Sequence, residues 1–201
     1  MKDKSFFKRM KLSAQDFEKG LRPTMEKQFG ATIYSIEALP RKELVNKLDF
    51  VGVDAFIMDQ EQEMYGLGSR VNWAWFENEP SFSFRFALWD ARINDWTYER
   101  EYKRKLQIAN RPEKQIFPEW HVESFSKEKG SGQIVWARMG RTKDILNYID
   151  ANIVKEGKDY RGINGVSIQE PKSKKERRLV VSVPAKTLEK ICEVKEIILK
   201  D

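Results

Sequence analysis

The apolar and polar positions near the start of the chain form a helical pattern that a proline interrupts. Ser13 is an N-cap candidate, and Gly30 suits the left-handed conformation that ends many helices. Pro23 has no backbone N–H to donate, and its ring clashes with the preceding turn of a helix. The pattern therefore predicts two short helices, over residues 14–20 and 23–29.

Strand patterns follow this helical segment. The stretch "ATIYSIEAL" alternates with a period of two, and "FVGVDAFIM" is nearly continuous in apolar and small residues. The second stretch predicts a central strand buried on both faces, where Asp54 is a costly charge. "MYGLGSRVNWAWF" and "SFSFRFALW" predict two more strands, which we expect to form a hairpin about "ENEP". The alternating Phe82, Phe84 and Phe86 indicate a core-facing strand rather than a base-stacking surface.

Helical and strand patterns alternate in the second half of the chain. Residues 97–109 predict an amphipathic helix with a basic face. "FPEWHVESFS" and "GQIVWARMG" predict a hairpin across the glycine-containing turn "KEKGSG". Thr142 is expected to cap a helix over "KDILNYID", and the polar residues 155–178 indicate irregular structure.

These elements predict a mixed α/β fold with a central mixed sheet flanked by helices. The length of 201 residues suits one domain that is large enough to bury a core. We expect a single domain over residues 1–201, with a core over about 13–150. A C-terminal extension over about 151–201 should contain the strand "LVVSV" and the amphipathic helix "AKTLEKICEVKEIILK".

Composition narrows the chemistry that this chain can perform. One cysteine, Cys192, and one histidine, His121, exclude an internal disulfide and the usual Cys/His zinc sites. Carboxylates would have to hold any metal, which favours Mg²⁺ or Mn²⁺. No apolar run approaches the roughly 20 residues that span a membrane, and the start of the chain is charged. We therefore expect a cytoplasmic protein with no membrane partner.

The charge balance is modestly basic. Lys and Arg number 37 against 31 Asp and Glu, which gives a net charge of +6 and a pI near 9.2. This excess is compatible with DNA or RNA as a partner. The cations that we expect to contact a nucleic acid are Arg70, Arg85, Arg100, Lys103 and Arg104. Arg100, Lys103 and Arg104 can instead form a solvated helix face that binds nothing. The sequence does not define an oligomeric state.

The order of these elements resembles the restriction-endonuclease-like, or PD-(D/E)XK, nuclease superfamily. Asp54 lies on the second core strand and Arg70 near the end of the third, and the likeness covers about residues 13–126. In the superfamily motif, Asp54 matches the aspartate and Arg70 the lysine, whereas the position of the second acid is Gly68. The segments "GVDAF", "GSRVNW", "FSFRF" and "WHVESF" are also similar to those of a group of uncharacterised bacterial proteins.

The resemblance implies a restriction-endonuclease-like fold and a catalytic set of Asp54, Arg70 and Glu101. Asp54 and Glu101 would be the metal ligands, with Glu101 replacing the missing acid from the helix after the third strand. Glu99 on that helix and Glu26 on the first helix are other sources of the acid. Arg70 stays protonated and grips phosphate oxygens, so it suits phosphate binding better than proton transfer.

The same residues also have interpretations without chemistry. Asp54 can be a buried carboxylate that is paired with Arg70 or capped by backbone amides. Glu101 precedes Lys105 by four residues, which is the favoured order for an ion pair on a helix surface. His121 can be a general base, although we favour a hydrogen-bonded strand histidine.

Three functions follow from these observations. The first is a nuclease-like protein that associates with nucleic acid and is catalytically inert, without any cofactor. It is slightly favoured because Gly68 removes an acid and Arg70 removes a proton donor. The second is a Mg²⁺- or Mn²⁺-dependent nuclease with a rearranged carboxylate site. The third is a protein-interaction module.

Overall fold

The described strands form two sheets and a hairpin, and they dominate over the helices. The computed structural model describes residues 11–73, 80–98, 100–110, 117–171 and 177–199. In spatial order, the first sheet consists of β1 (Thr32–Ser35), β2 (Ala55–Met58), β3 (Met64–Asn72), β6 (Pro118–Ser126), β7 (Ile134–Arg141) and β12 (Val194–Glu196). The second sheet consists of β10 (Ser167–Gln169), β11 (Arg178–Pro184), β4 (Ser81–Asp90) and β5 (Asp95–Tyr98). The hairpin consists of β8 (Ile153–Glu156) and β9 (Asp159–Gly162).

Helices connect these strands. They are α1 (Arg22–Phe29), α2 (Lys42–Val51), α3 (Arg100–Ala109), α4 (Thr142–Ala151) and α5 (Ala185–Glu189). A π-helical turn, Phe17–Leu21, joins α1 to the helical residues 11–16, and a 3₁₀ turn, Ile36–Ala38, follows β1. In the part of the chain that the structure describes, none of the helices has the length and apolarity needed to cross a membrane.

The first helix continues through Pro23, so the predicted break there is wrong. The backbone N–H of Arg22 donates to the carbonyl of Phe17, five residues earlier. This wider π turn relieves the clash that a proline ring makes with the preceding turn of an α-helix. Ser13 lies inside the helical stretch rather than at its cap. Gly30 ends the helix with φ 58°, as predicted.

A parallel pair of strands lies at the centre of the first sheet. β2 pairs antiparallel with β3, which confirms the prediction that these two strands are neighbours. β3 then runs parallel to β6, and a parallel pair needs a long crossover. The crossover contains β4, β5 and α3, and β4 belongs to the second sheet. The predicted hairpin between β3 and the strand over residues 81–89 is therefore wrong.

Each sheet buries its own apolar layer. On one face of the first sheet, Leu67 and Val122 belong to a core that includes Leu21 and Met25 of the N-terminal helix. The second core contains the alternating phenylalanines of β4 together with α4; its members include Phe82, Phe84, Phe86, Ile145 and Ile149. This confirms that the phenylalanine pattern belongs to a core strand.

The apolar stretch over residues 50–58 is not one strand. Residues 42–51 form α2, Gly52 turns the chain with φ 81°, and β2 begins only at Ala55. Leu48 at the end of α2 and Val53 after the turn are both buried in a small cluster with Ile36. The apolar run therefore serves the end of a helix, a turn and a strand in succession.

The C-terminal third also differs from the prediction. The stretch predicted as irregular contains the end of β8 and all of β9 and β10, while residues 172–176 lie outside the described ranges. The predicted last helix ends at Glu189, and the chain then pairs as β12 with the edge of β7. The N-cap position of α4 is Arg141, and Thr142 makes no capping bond. Because β11 pairs with β4 and β12 with β7, this part of the chain supplies strands to both sheets.

Candidate functional site

Asp54 lies just before β2 and binds the backbone of β3. Its N–H donates to the carbonyl of Leu67 at 2.8 Å, and its Oδ2 accepts the N–H of Ser69 at 2.6 Å. The carboxylate therefore holds the start of β2 against β3. This contact corresponds to the interpretation of Asp54 as a carboxylate capped by a backbone amide.

Strand alternation puts Asp54 and Arg70 on the same face of the first sheet. Ala55 lies opposite Leu67, and both side chains are buried in the core beside the N-terminal helix. Asp54 is one residue from Ala55 and Arg70 is three residues from Leu67, so both belong to the opposite face. That face is directed toward β4 of the second sheet, because Arg70 contacts Ser83.

Gly68, the position at which the resemblance implies an acid, is tightly enclosed. A Cβ added there would lie 3.0 Å from the carbonyl oxygen of Gly52 and 3.2 Å from Nδ1 of His121. It would also lie 3.4 Å from Cβ of Pro118. Gly68 is opposite His121 in the parallel pair, so the imidazole occupies the space beside this position. A side chain at residue 68 would therefore require these neighbours to shift by a few tenths of an ångström.

Arg70 and Glu123 meet at one residue of the second sheet, Ser83. Arg70 Nη1 donates to the Ser83 carbonyl at 2.6 Å and to its Oγ at 3.1 Å. Glu123 accepts the Ser83 hydroxyl at 2.9 Å and its backbone N–H at 3.4 Å. The carboxylate of Glu123 also accepts a bond from Asn72 at 2.6 Å, and its side chain is fully buried.

This contact satisfies the backbone of β4 along a stretch where, among the described strands, none pairs with one of its two edges. β11 pairs with β4 over Ser81–Leu88, whereas β5 pairs with it only over Ala87–Asp90. At Ser83, the backbone N–H and carbonyl bond to side chains of the first sheet instead of to a strand. We call Arg70, Asn72, Ser83, His121 and Glu123 the inter-sheet network, since these residues join the two sheets.

His121 is a buried, hydrogen-bonded member of this network. Its Nε2 lies 3.3 Å from Oε2 of Glu123, and its ring centroid is 4.8 Å from that of Phe84. Burial lowers the pKa of His121; Glu123 opposes this shift, and the nearby charges of Lys105 and Arg70 add to it. The imidazole is therefore neutral at pH 7 and can donate a hydrogen bond to the carboxylate. This agrees with the interpretation as a hydrogen-bonded strand histidine.

The helix α3 passes near this site, but most of its predicted functional side chains are not described. Glu99 lies outside the described residues, and α3 includes Arg100, Glu101 and Arg104 without a description of their side chains. Lys103 is exposed on this helix, as is Arg85 on β4. The metal-ligand and catalytic roles of Glu101 stay predictions.

Lys105 and Glu26 have surroundings that differ from those the sequence predicts. Lys105 is 7% exposed and packs against Gly52, so it does not lie on the solvated helix surface that we expected for a pair with Glu101. Glu26, a candidate for the second acid, accepts the N–H of Ile33 at 2.8 Å and pairs with Arg22. It therefore links α1 to β1.

The described carboxylate opposite Arg70 is already occupied by hydrogen bonds. Glu123 is the carboxylate opposite Arg70, but it is fully buried and its oxygens already accept bonds from Asn72 and Ser83. Within the described ranges, three or more His, Cys, Asp or Glu side chains are nowhere grouped so that they could hold a metal. The arrangement holds two sheets together and orients Arg70.

Sequence reasoning missed Glu123 and Ser83 as partners of Arg70. Neither residue stands out in the local pattern, because Glu123 and Ser83 are single polar positions within strand sequences. The signal that links them is the parallel register of β3 and β6, which places Arg70 opposite Glu123. That register joins residues 53 positions apart in the chain, and no local pattern reports it.

Comparison with models of known families, with characterised proteins and with solved structures yields no match. The function proposed below is therefore inferred from the geometry and charge of this chain.

Proposed function

We propose that this protein associates with nucleic acid through a restriction-endonuclease-like arrangement that is catalytically inert. The proposal depends on the surroundings of two motif positions, Gly68 and Arg70. Gly68 is enclosed by Gly52, Pro118 and His121, and Arg70 is bonded to Ser83. A second carboxylate and a free proton donor are what a metal-dependent phosphodiesterase would need at these two positions.

Charge supports the nucleic-acid part of the proposal. The chain carries a net charge of +6, and Arg85 and Lys103 are exposed. Cations that neutralise phosphates release condensed counterions, so such binding weakens steeply as salt increases. DNA and RNA are both candidates, because a charge-based contact does not depend on the bases.

The test is binding and cleavage of single- and double-stranded DNA and RNA across a salt series, with and without Mg²⁺ or Mn²⁺. We expect salt-sensitive binding without cleavage. Replacing Arg85 and Lys103 together by alanine should reduce the slope of log affinity against log salt by about two, one for each lost phosphate contact. Lys143→Ala, which removes another exposed lysine, is the control and should leave the slope unchanged.

Two results would contradict the proposal. Metal-dependent cleavage that is lost in Asp54→Ala and in Glu101→Ala would identify a nuclease with a rearranged carboxylate site. Failure to bind any nucleic acid at low salt would remove the nucleic-acid function and leave protein interaction as the alternative. Circular dichroism of each variant shows whether a lost activity reflects a lost fold.

A further inference from the structure

An arginine lies against two tryptophans at one end of the second sheet. Trp89 on β4 is opposite Trp96 on β5, and the rings meet edge to face with centroids 5.2 Å apart. The Cζ of Arg177 lies 4.5 Å from the Trp89 centroid and 5.1 Å from the Trp96 centroid. The carbonyl of Arg177 accepts the N–H of Trp89 at 3.1 Å, so the backbone also fixes this position.

A carboxylate fixes the same guanidinium along its edge. Glu170 accepts Arg177 Nε at 2.7 Å and Nη2 at 3.1 Å, which is the two-point geometry of a guanidinium–carboxylate pair. The side chain of Arg177 nevertheless remains 52% exposed. The guanidinium thus lies next to both tryptophans, is oriented by Glu170 and is open to solvent.

This arrangement suits a flat π system better than a phosphate. The donor fork of Arg177 that would grip a phosphate already binds Glu170, and the negative charge of Glu170 repels a second anion. A guanidinium plane can stack a base, as an aromatic ring can. Because the orientation of the plane is already restricted, little side-chain entropy is lost on stacking.

We infer that Arg177, supported by Trp89 and Trp96, is a stacking site for an unpaired base of single-stranded nucleic acid. In a duplex the faces of the bases are covered by their neighbours, so an exposed plane on the protein surface can reach only an unstacked base. The inference rests on the proposed function, and it names the class of nucleic acid that this function involves. Exposed cations elsewhere on the protein supply the charge-dependent part of binding.

The experiment compares Arg177→Lys with wild-type protein, because lysine keeps the charge but has no plane to stack. Each protein is titrated with a single-stranded oligothymidylate and with a duplex of equal length. We expect wild-type protein to prefer the single strand and to show quenched tryptophan fluorescence on binding. Arg177→Lys should weaken single-strand binding by about tenfold and reduce the quenching, with little effect on the duplex.

Arg161→Lys is the matched control. Arg161 pairs with Glu156 at 3.3 Å and is 67% exposed, so this pair resembles Arg177–Glu170 in chemistry and exposure. This variant should bind like wild-type protein. Unchanged single-strand binding in Arg177→Lys, or a wild-type preference for duplex, would overturn this inference while leaving the proposed function intact. Absence of binding to both nucleic acids would overturn the proposed function and this inference with it.

Discussion

At the scale of single residues, the charged side chains on and beside the central strands bond to neighbouring strands. Asp54 accepts the backbone N–H of Ser69, and Arg70 donates to the carbonyl of Ser83. Glu123 reaches the same serine from the neighbouring strand. Each of these three partly or fully buried side chains makes a hydrogen bond, which offsets the cost of removing it from water.

Restoring the motif acid by Gly68→Asp should destabilise the protein. The new side chain would press against the Gly52 carbonyl and His121, and it would place a charge beside the buried Glu123. Overpacking of this kind costs about 1–3 kcal/mol, and burial of the charge adds to that cost. Urea denaturation measures the loss of free energy of unfolding, and a nuclease assay should show no gain of cleavage.

Gly157→Asp is the control for that substitution. No atom lies within 4 Å of a Cβ added at Gly157, and its φ of 62° is a conformation that aspartate tolerates better than most residues. We expect a change in unfolding free energy well below that of Gly68→Asp. If Gly68→Asp were as stable as wild-type protein, the atoms around residue 68 could accommodate a side chain without cost.

At the scale of elements, the N-terminal helix is joined closely to the β6–β7 turn. Asp16, which is fully buried, accepts bonds from the Trp73 indole, the Ser126 hydroxyl and the backbone N–H groups of Gly130 and Gly132. A buried carboxylate with four donors fixes the position of the turn against the helix.

Gly20→Ala tests this close approach. Alanine normally stabilises a helix relative to glycine by roughly 0.5–1 kcal/mol. At Gly20 the added Cβ would meet the carbonyl oxygen of Gly132 well inside contact distance. We therefore expect a loss of about 1–3 kcal/mol in unfolding free energy, the usual range for overpacking. Thermal and urea denaturation provide the measurement.

Lys27→Ala is the control for Gly20→Ala, because it introduces an alanine at an exposed position of α1. Its free energy of unfolding should stay within about 0.5 kcal/mol of wild type. Equal or greater stability of Gly20→Ala would mean that the helix can move away from the turn without cost.

At the scale of the whole molecule, the two sheets meet through polar as well as apolar contacts. Phe84 packs on the His121 ring, while Ser83 bonds to Glu123 and Arg70. Each sheet has its own apolar core, so the inter-sheet network forms part of the boundary between these cores. Unfolding either sheet would expose buried polar groups of the other, which favours cooperative unfolding.

The pH dependence of stability should therefore reflect the protonation of His121. In the folded protein the pKa of His121 lies below its ordinary value of 6.5, because burial disfavours the charged imidazole. Below pH 6.5 the unfolded chain binds a proton that the folded protein does not, so the free energy of unfolding decreases as the pH falls. Above pH 6.5 this contribution is fully present. Urea denaturation between pH 5 and 7.5 measures it.

His121→Gln isolates this effect, since glutamine can still donate to Glu123 but does not titrate. His121 is the only histidine of the chain. Burial also raises the pKa values of Glu119 and Asp150, which contribute with the opposite sign at lower pH. The difference between wild type and His121→Gln removes these shared contributions. Identical pH profiles for the two proteins would show that the His121 pKa is not depressed.

Local patterns in the sequence predicted the elements whose partners are close in the chain. The β2–β3 and β6–β7 pairs, the Gly30 cap and the core-facing Phe82, Phe84 and Phe86 all agree with the structure. A period of two predicts which face of a strand is buried. Turn-forming residues predict a hairpin, and a glycine in the left-handed conformation predicts a helix end. These features follow from short-range physics, so one sequence is enough to predict them.

Tertiary structure alone decided the remaining features. The parallel register of β3 and β6 sets Arg70 opposite Glu123, and the second sheet brings Ser83 to both. The end of the chain joins an edge strand although its pattern is helical, because pairing with β7 satisfies its backbone. Such contacts join residues far apart in sequence, and their energies depend on which groups the fold brings together. A residue's type and its near neighbours do not contain that information.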